Sequence, residues 1–344
     1  MQFGLLCSAQ ANSDASGPES GQGFRDYLDF NVEAEELGFH SSFSVEHHFT
    51  GWNQVSATLM LLMALAMRTS RLRLGTAVIV LPWHNPVLLA EQAATLDLLS
   101  GGRLDFGIGK GYRHNEFAGF GIAQEESEAR FEEAIEVITR SWLSRTRFSH
   151  HGRFWTFEDI VVEPPPAQQP HPPLWVAAGS PVSIGRAAAR GFNLILDQYA
   201  SPEAIGERIA MYRAERESHG LAFNPMQVAV ARQLYIAKNQ ADTEAALARL
   251  AQFTQRTVAV SRSPDSKFSS HVLAYADKAG RTEANALFGT PDEINKMLDS
   301  VRNAGAEYVL LTMSGGIGQL RRFQRDVMPN FLTPPSAPVT RAAE

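Results

Sequence analysis

The chain has 344 residues, with 31 basic and 37 acidic side chains, a net charge of −6 and no block of like charges, which excludes a nucleic-acid arm or a polybasic membrane anchor. Hydrophobic residues make up 44%, enough for a sizeable core, yet no apolar run reaches the length of a membrane span. Cys7 is the only cysteine, so no intrachain disulfide can form, and with an N-terminus that lacks a basic leader this leads us to expect a cytoplasmic protein.

Short apolar, β-branched runs alternate with segments of helical period from end to end. In chain order the predicted strands are 3–7, 41–45, 72–80, 103–109, 174–178, 193–197, 227–237 and 307–312, each followed by a plausible helix. The clearest helices are 24–37, 87–99, 125–142, 202–218, 243–253 and 291–304, several of which open on Ser/Thr-Pro or an acidic first turn. Eight βα units favour an α/β fold of the (β/α)8 barrel type, with an open doubly wound sheet as the alternative.

Three stretches interrupt the alternation. Residues 8–23 read as a polar loop, and 150–173 as a small hairpin running into a polyproline-like connector. Residues 261–288, before the last βα unit, read as a lid or as disorder. The tail, 333–344, is expected to be disordered, leaving one barrel domain over 1–332.

In such a barrel chemistry sits at the C-terminal ends of the strands, and four of those loops are chemically loaded. After strand 2, "EHHFTGWN" places Glu46, His47 and His48 together. Adjacent residues leaving a strand point in different directions, so one shared metal is disfavoured against packing or acid/base work by one histidine, oriented by a carboxylate such as Glu46. After strand 3 comes "LPWHNP" and after strand 4 "GKGYRHNEF", where Gly107, Gly109 and Gly111 allow close backbone approach and Lys110 can reach a phosphate; barrel packing is the other reading of those glycines. After strand 5, "AGSPVS" opens a helix with Ser180 at the N-cap, Pro181 at N1 and Ser183 in the first turn: ordinary capping or an anion pocket.

Six landmarks in series, "GFHSSFSVEHHFT", "LRLGTAVIVLPWHNPVLLAEQ", "LLSGGRLDFGIGKGYRHNEFAGFG", "VAAGSPVSIGRAAARGF", "FGTPDEINKML" and "RFQRDVMPNF", resemble the bacterial luciferase family of flavin-dependent monooxygenases, and its catalytic alpha subunit in particular. The resemblance implies a barrel binding reduced FMN, with O2 adding to the flavin to give a peroxyflavin that oxygenates a small organic substrate. It implies His47 as the catalytic histidine, with Glu46 before it and His48 shaping the pocket or supporting it. It further implies a cis peptide between Ala77 and Val78 beneath the flavin ring, Lys110 in place of a phosphate-binding arginine, and Ser180 and Ser183 in the phosphate pocket. Gly179 stands where luciferase has a glutamate, Glu116 where an aspartate influences the flavin, and Gly109 where it has a cysteine, so the flavin's substrate side should be wider.

Trp83 and His84 replace smaller residues and should shorten the pocket, so light emission is not expected; a small ketone, aldehyde, terpenoid, aromatic or sulfonate substrate stays open. The expected partners are a separate NAD(P)H:flavin reductase supplying reduced FMN, in a two-component system, and a second copy of the chain, with 57–67 as a dimer surface or a helix buried on the barrel. A deazaflavin-dependent oxidoreductase of the same fold, a flavin-binding protein without turnover and a metal-dependent hydrolase are the rival readings.

Overall fold

A computed structural model describes residues 1–12, 21–52, 54–262 and 280–332. Eight parallel strands form its centre: β1 (Gln2–Cys7), β2 (Ser41–Ser44), β3 (Arg73–Thr76), β4 (Leu104–Gly109), β5 (Leu174–Ala177), β6 (Asn193–Leu196), β7 (Val228–Ile236) and β8 (Tyr308–Met313). They pair in the order β7-β8-β1-β2-β3-β4-β5-β6, and β6 closes on β7 through Val228 opposite Leu194. Closure makes this a (β/α)8 barrel and removes the open-sheet alternative.

The helices of the outer layer are α1 (Gln22–Glu36), α2 (Thr58–Ala66), α3 (Pro86–Leu99), α4 (His114–Phe120), α5 (Ser127–Leu143), α6 (Pro181–Ala189), α7 (Pro202–Ser218), α8 (Gln240–Ser261), α9 (Arg281–Ala284), α10 (Pro291–Asn303) and α11 (Ile317–Asp326). Proline at the first helical position starts α3, α6, α7 and α10, each behind an Asn, Ser or Thr N-cap whose side chain or backbone takes up first-turn N–H groups. Their apolar faces join the outward strand residues, among them Leu5, Leu74, Phe106, Val230 and Leu311, in one continuous core.

Inward residues fill the barrel itself: Phe43, Trp175, Ile195, Ala229, Tyr308 and Leu310 pack together. Below them the Arg73 Nε donates to Asp105 at 2.7 Å, and the Trp175 Nε1 donates to the same carboxylate at 3.1 Å. The interior is therefore plugged, and open space lies at the strand C-termini.

Some predicted boundaries move. The run 72–80 is two strands: β3 ends at Thr76, and beyond the Ala77–Val78 bond, which is cis, Ile79–Val80 pairs with Ile108 and Gly109 of β4. The hairpin is present as Phe148–His151 against Thr156–Ile160. In its connector the Glu163–Pro164 and Gln169–Pro170 bonds are cis. Of the expected lid, 263–279 lies outside the described residues, as does the tail 333–344. The end of that stretch is ordinary fold: Leu287–Gly289 pairs with β7, and Ala286 and Phe288 pack on Ala246 and Leu250 of α8. Helix α2 buries Leu61, Leu62 and Leu65, while Met60 is 76% exposed.

Gly107 is a packing requirement, since a Cβ there would lie 1.8 Å from the Thr76 carbonyl oxygen. Gly318, inside α11, has open space around the same position. Gly107→Ala should therefore lower urea stability by about 3 kcal/mol or more, while Gly318→Ala should raise it by roughly 0.5 kcal/mol. Equal effects of the two substitutions in equilibrium unfolding would contradict this packing.

Candidate active site

Leaving β2, the chain turns at Val45 and buries Glu46, which is 1% exposed. Its carboxylate receives the Val80 backbone N–H at 2.8 Å, the His48 Nε2 at 2.8 Å, the His84 Nε2 at 2.7 Å and the Trp83 indole N–H at 3.4 Å. Three of those donors come from the segment after β3, so this one side chain ties two loops together. Burial would raise the Glu46 carboxyl, but the bonds from His48, His84 and Val80 outweigh it and hold it at about 2. Accepting from both rings also fixes Nε2–H on each imidazole.

His47 is oriented by a different carboxylate. Its Nδ1 lies 3.0 Å from the Glu116 Oε1, and that oxygen also accepts the His48 backbone N–H at 3.0 Å. The expectation that Glu46 orients the catalytic histidine therefore needs correcting: Glu46 faces His48, and Glu116 faces His47. The adjacent imidazoles diverge onto two acceptors, and among the described residues no group of three or more His, Cys, Asp or Glu is arranged to hold a metal. Burial lowers the His47 pKa, and the bond to Glu116 opposes that shift. A neutral ring giving its Nδ1 proton to Glu116 keeps a lone pair on Nε2, which makes no hydrogen bond among the described residues.

Glu116 is delivered by α4, a short helix absent from the predicted set. Gly121 ends it in the left-handed conformation at φ 67°, and "GFG" at its end was the available signal. Its aromatic residues form a wall with the β3 loop: Trp83 stacks on Phe120 at 5.2 Å, Phe117 meets Trp83 edge-on at 5.2 Å and His48 meets Phe120 edge-on at 4.8 Å. Trp83 is thus held by this wall and by Glu46.

Ala77, Val78 and Gly109 are half-buried at the strand ends. A Cβ on Gly109 would lie 2.5 Å from the Val78 Cγ2, so the missing side chain widens nothing there; a Val78 methyl fills the space. Lys110, exposed, donates to Glu128 of α5 at 2.6 Å, and Arg186 of α6 donates to the same carboxylate at 2.6 Å. Ser180 and Ser183 close a capping box at the start of α6, with half-buried Gly179 just before it. Arg186 and Glu128 were not singled out from sequence, because nothing local marks a cation and an anion 58 residues apart as partners.

A polar string also missed from sequence lines the far side of the mouth. The Gln233 side-chain amide donates to Gln198 at 2.9 Å, and Gln198 donates to the Tyr199 hydroxyl at 2.9 Å.

A family model described as luciferase-like monooxygenase matches residues 1–308. The chain is 28% identical to the oxygenase component of the flavin-dependent trigonelline monooxygenase of Acinetobacter baylyi, over 72% of this chain and 68% of that one. It is 32% identical to an F420-dependent glucose-6-phosphate dehydrogenase of Amycolatopsis mediterranei, over 56% of this chain and 57% of that one. The chain spans 62%, 68% and 59% of the lengths of the first three curated relatives that it matches. Among solved structures it is similar to the monooxygenase RslO1 from Streptomyces bottropensis, at 28% identity and a TM-score of 0.80, covering 96% of this chain and 100% of that one.

Glu46→Gln should cost on the order of 3 kcal/mol at pH 7, because two imidazole N–H groups and a backbone N–H then share one amide oxygen. The Glu46 pKa is depressed in the fold, so its stabilisation is present above the ordinary carboxylate value of 4.5 and is lost as pH falls toward about 2. Urea midpoints of the two proteins should converge across that window; a constant gap would show that the charge is not responsible.

Proposed function

Because this chain belongs to the luciferase-like monooxygenase family, we propose that it is a flavin-dependent monooxygenase that uses reduced FMN and O2 to oxygenate a small organic substrate. The observation that carries this reading is the His47–Glu116 pair, a base with its orienting carboxylate at the barrel mouth. The donor set fits an FMN phosphate: Lys110 and Arg186 converge on Glu128, Arg186 comes from the last turn of α6, and the Ser180 and Ser183 hydroxyls stand at the start of the same helix. Ala77, Val78 and Gly109 would hold the flavin ring, and bound reduced FMN supplies the electrons that activate O2. Glu128 would give up the two cations to a phosphate bound there; these are exposed ion pairs, so the exchange would be inexpensive.

His47 takes a proton at Nε2 while Glu116 holds Nδ1–H and stabilises the resulting imidazolium; the same Nε2 then returns the proton as water departs. Glu46 acts at one remove, fixing His48, Trp83 and His84 so that the aromatic wall stays closed to water.

The relative named as an oxygenase component supports a two-component system with a separate NAD(P)H:flavin reductase. We further read the protein as cytoplasmic, as one barrel domain over 1–332 and as a homodimer through the exposed side of α2, where Met60 is 76% exposed and Met67, just past its end, 62% exposed. Among the described residues no helix is long and apolar enough to cross a membrane. A deazaflavin-dependent oxidoreductase is the second reading, favoured by the F420-dependent relative. Oxygen-dependent product formation from a panel of ketones, aldehydes and sulfonates with photoreduced FMN distinguishes them; turnover only with the deazaflavin, without oxygen uptake, would replace the first reading by the second.

His47→Ala should bind FMN within twofold of the parent and lose about 100-fold or more in coupled product formation; undiminished product formation would remove its role. Glu116→Gln takes away the carboxylate that opposes the burial shift, so the His47 limb of the kcat/KM profile should move to lower pH. For the phosphate pocket, Lys110→Met should weaken FMN about tenfold and leave riboflavin unchanged, while Glu128→Gln should tighten FMN. A parallel loss of riboflavin in Lys110→Met would move the phosphate elsewhere.

A further inference from the structure

Arg113 stands apart from the other buried arginines. Arg208 is paired with Asp197, and Arg232 donates to the carbonyls of Asp197, Ala231 and Ala200, while half-buried Arg73 is paired with Asp105. Arg216 reaches the Ala222 carbonyl and the Tyr212 hydroxyl. Arg113 is 4% exposed, makes no ion pair among the described residues, and its Nη1 is buried without a hydrogen-bond partner. Among the described residues its one side-chain hydrogen bond is from Nε to the Tyr112 hydroxyl, at 3.3 Å. A charge withdrawn from water without a counter-ion is destabilising, and such a group persists where a ligand completes it.

Its position says which ligand. Arg113 precedes α4, its Cζ lies 5.6 Å from the centre of the Tyr112 ring, and that ring meets the His47 ring edge-on at 6.4 Å. Its charge also bears on Tyr199 across the mouth. Neighbouring carboxylates are taken: Glu116 holds His47 and the His48 N–H, and Asp197 holds Arg208 and the Tyr199 N–H. The candidate phosphate cations, Lys110 and Arg186, meet on Glu128 and are exposed.

We propose that the Arg113 guanidinium binds a carboxylate of the substrate, placing a carboxylate-bearing organic molecule beside His47. This rests on the reading of the mouth as the active site. The planar fork matches a carboxylate bidentately, and a neutral analogue would leave the buried charge unpaired, so the site selects acids over their amides.

Benzoate and benzamide, alike in shape and different in charge, are the probes. Their dissociation constants are measured by calorimetry on the full chain and on Arg113→Met and Arg113→Lys, with and without FMN, beside an FMN titration and thermal melts. The parent should bind benzoate at least about tenfold more tightly than benzamide. That preference should vanish in Arg113→Met and return in part in Arg113→Lys, with FMN affinity held within twofold. Arg113→Met should melt no lower than the parent, since it removes an uncompensated buried charge. Equal binding of the two probes by the parent, or a preference that survives in Arg113→Met, overturns the proposal; so does a loss of FMN affinity without a change in benzoate, which would give Arg113 to the flavin. A parent that prefers benzoate but binds no FMN would overturn the flavin reading and leave the carboxylate site standing.

Discussion

The site depends on one buried acceptor. With Glu46 ionised and 1% exposed, the loops after β2 and β3 have a common point to which an amide, two imidazoles and an indole all donate. A buried carboxylate is costly unless its lone pairs are filled, and here they are filled by groups from both loops, so the loops must arrive together or the charge is stranded. Everything nearer the mouth is set from that point. His48 is drawn onto Glu46, which leaves His47 facing the other way; Glu116 then meets His47 because β2, β3 and β4 are consecutive neighbours in the sheet. Two adjacent histidines acquire different work from two carboxylates 70 residues apart.

The two polar regions of the mouth differ in how tightly they are held. Around Glu46 and Glu116 the hydrogen bonds are buried and shared, so geometry is fixed before any ligand arrives. Around Glu128 the partners Lys110 and Arg186 are exposed, where an ion pair contributes little and can be exchanged. A rigid buried centre beside exchangeable surface ion pairs is what the proposed function needs, since there the flavin would be supplied from outside and leave again.

The barrel was legible because its signals are local and repeated. Alternating apolar runs, Asn-Pro, Ser-Pro and Thr-Pro helix starts and eight βα units each follow from periods of 2 and 3.6 residues. The place of the candidate site follows from the same signals, since the fold fixes where the strand C-termini gather their loops. Pairings were not. That Glu46 faces His48 depends on a turn at Val45, and that Glu128 gathers Lys110 and Arg186 depends on the first turn of α5 meeting both the segment after β4 and α6; neither leaves a mark in residue spacing. Gly109 carries the same lesson, since its meaning is set by the methyl of Val78, 31 residues earlier and in the segment after β3. Arg113 was hidden because a buried arginine without a counter-ion among the described residues looks, in a polar stretch of sequence, like any solvated one until its surroundings are seen.

Arg113 also couples binding to chemistry. Burial lowers His47 most, the Glu116 bond opposes it, and the Arg113 charge lowers it again, against weaker help from the charges of Glu116 and Glu46. A substrate carboxylate seated on Arg113 would cancel that positive charge for His47 and raise its proton affinity only when substrate is present. The base is then stronger in the complex than in the free protein. The limb of kcat should accordingly lie at higher pH than the limb of kcat/KM, because the first reports His47 in the complex and the second in the free protein. In Arg113→Met the lowering charge is absent from both states, so the kcat/KM limb should rise to meet the kcat limb, whereas a purely structural arginine would leave the separation unchanged.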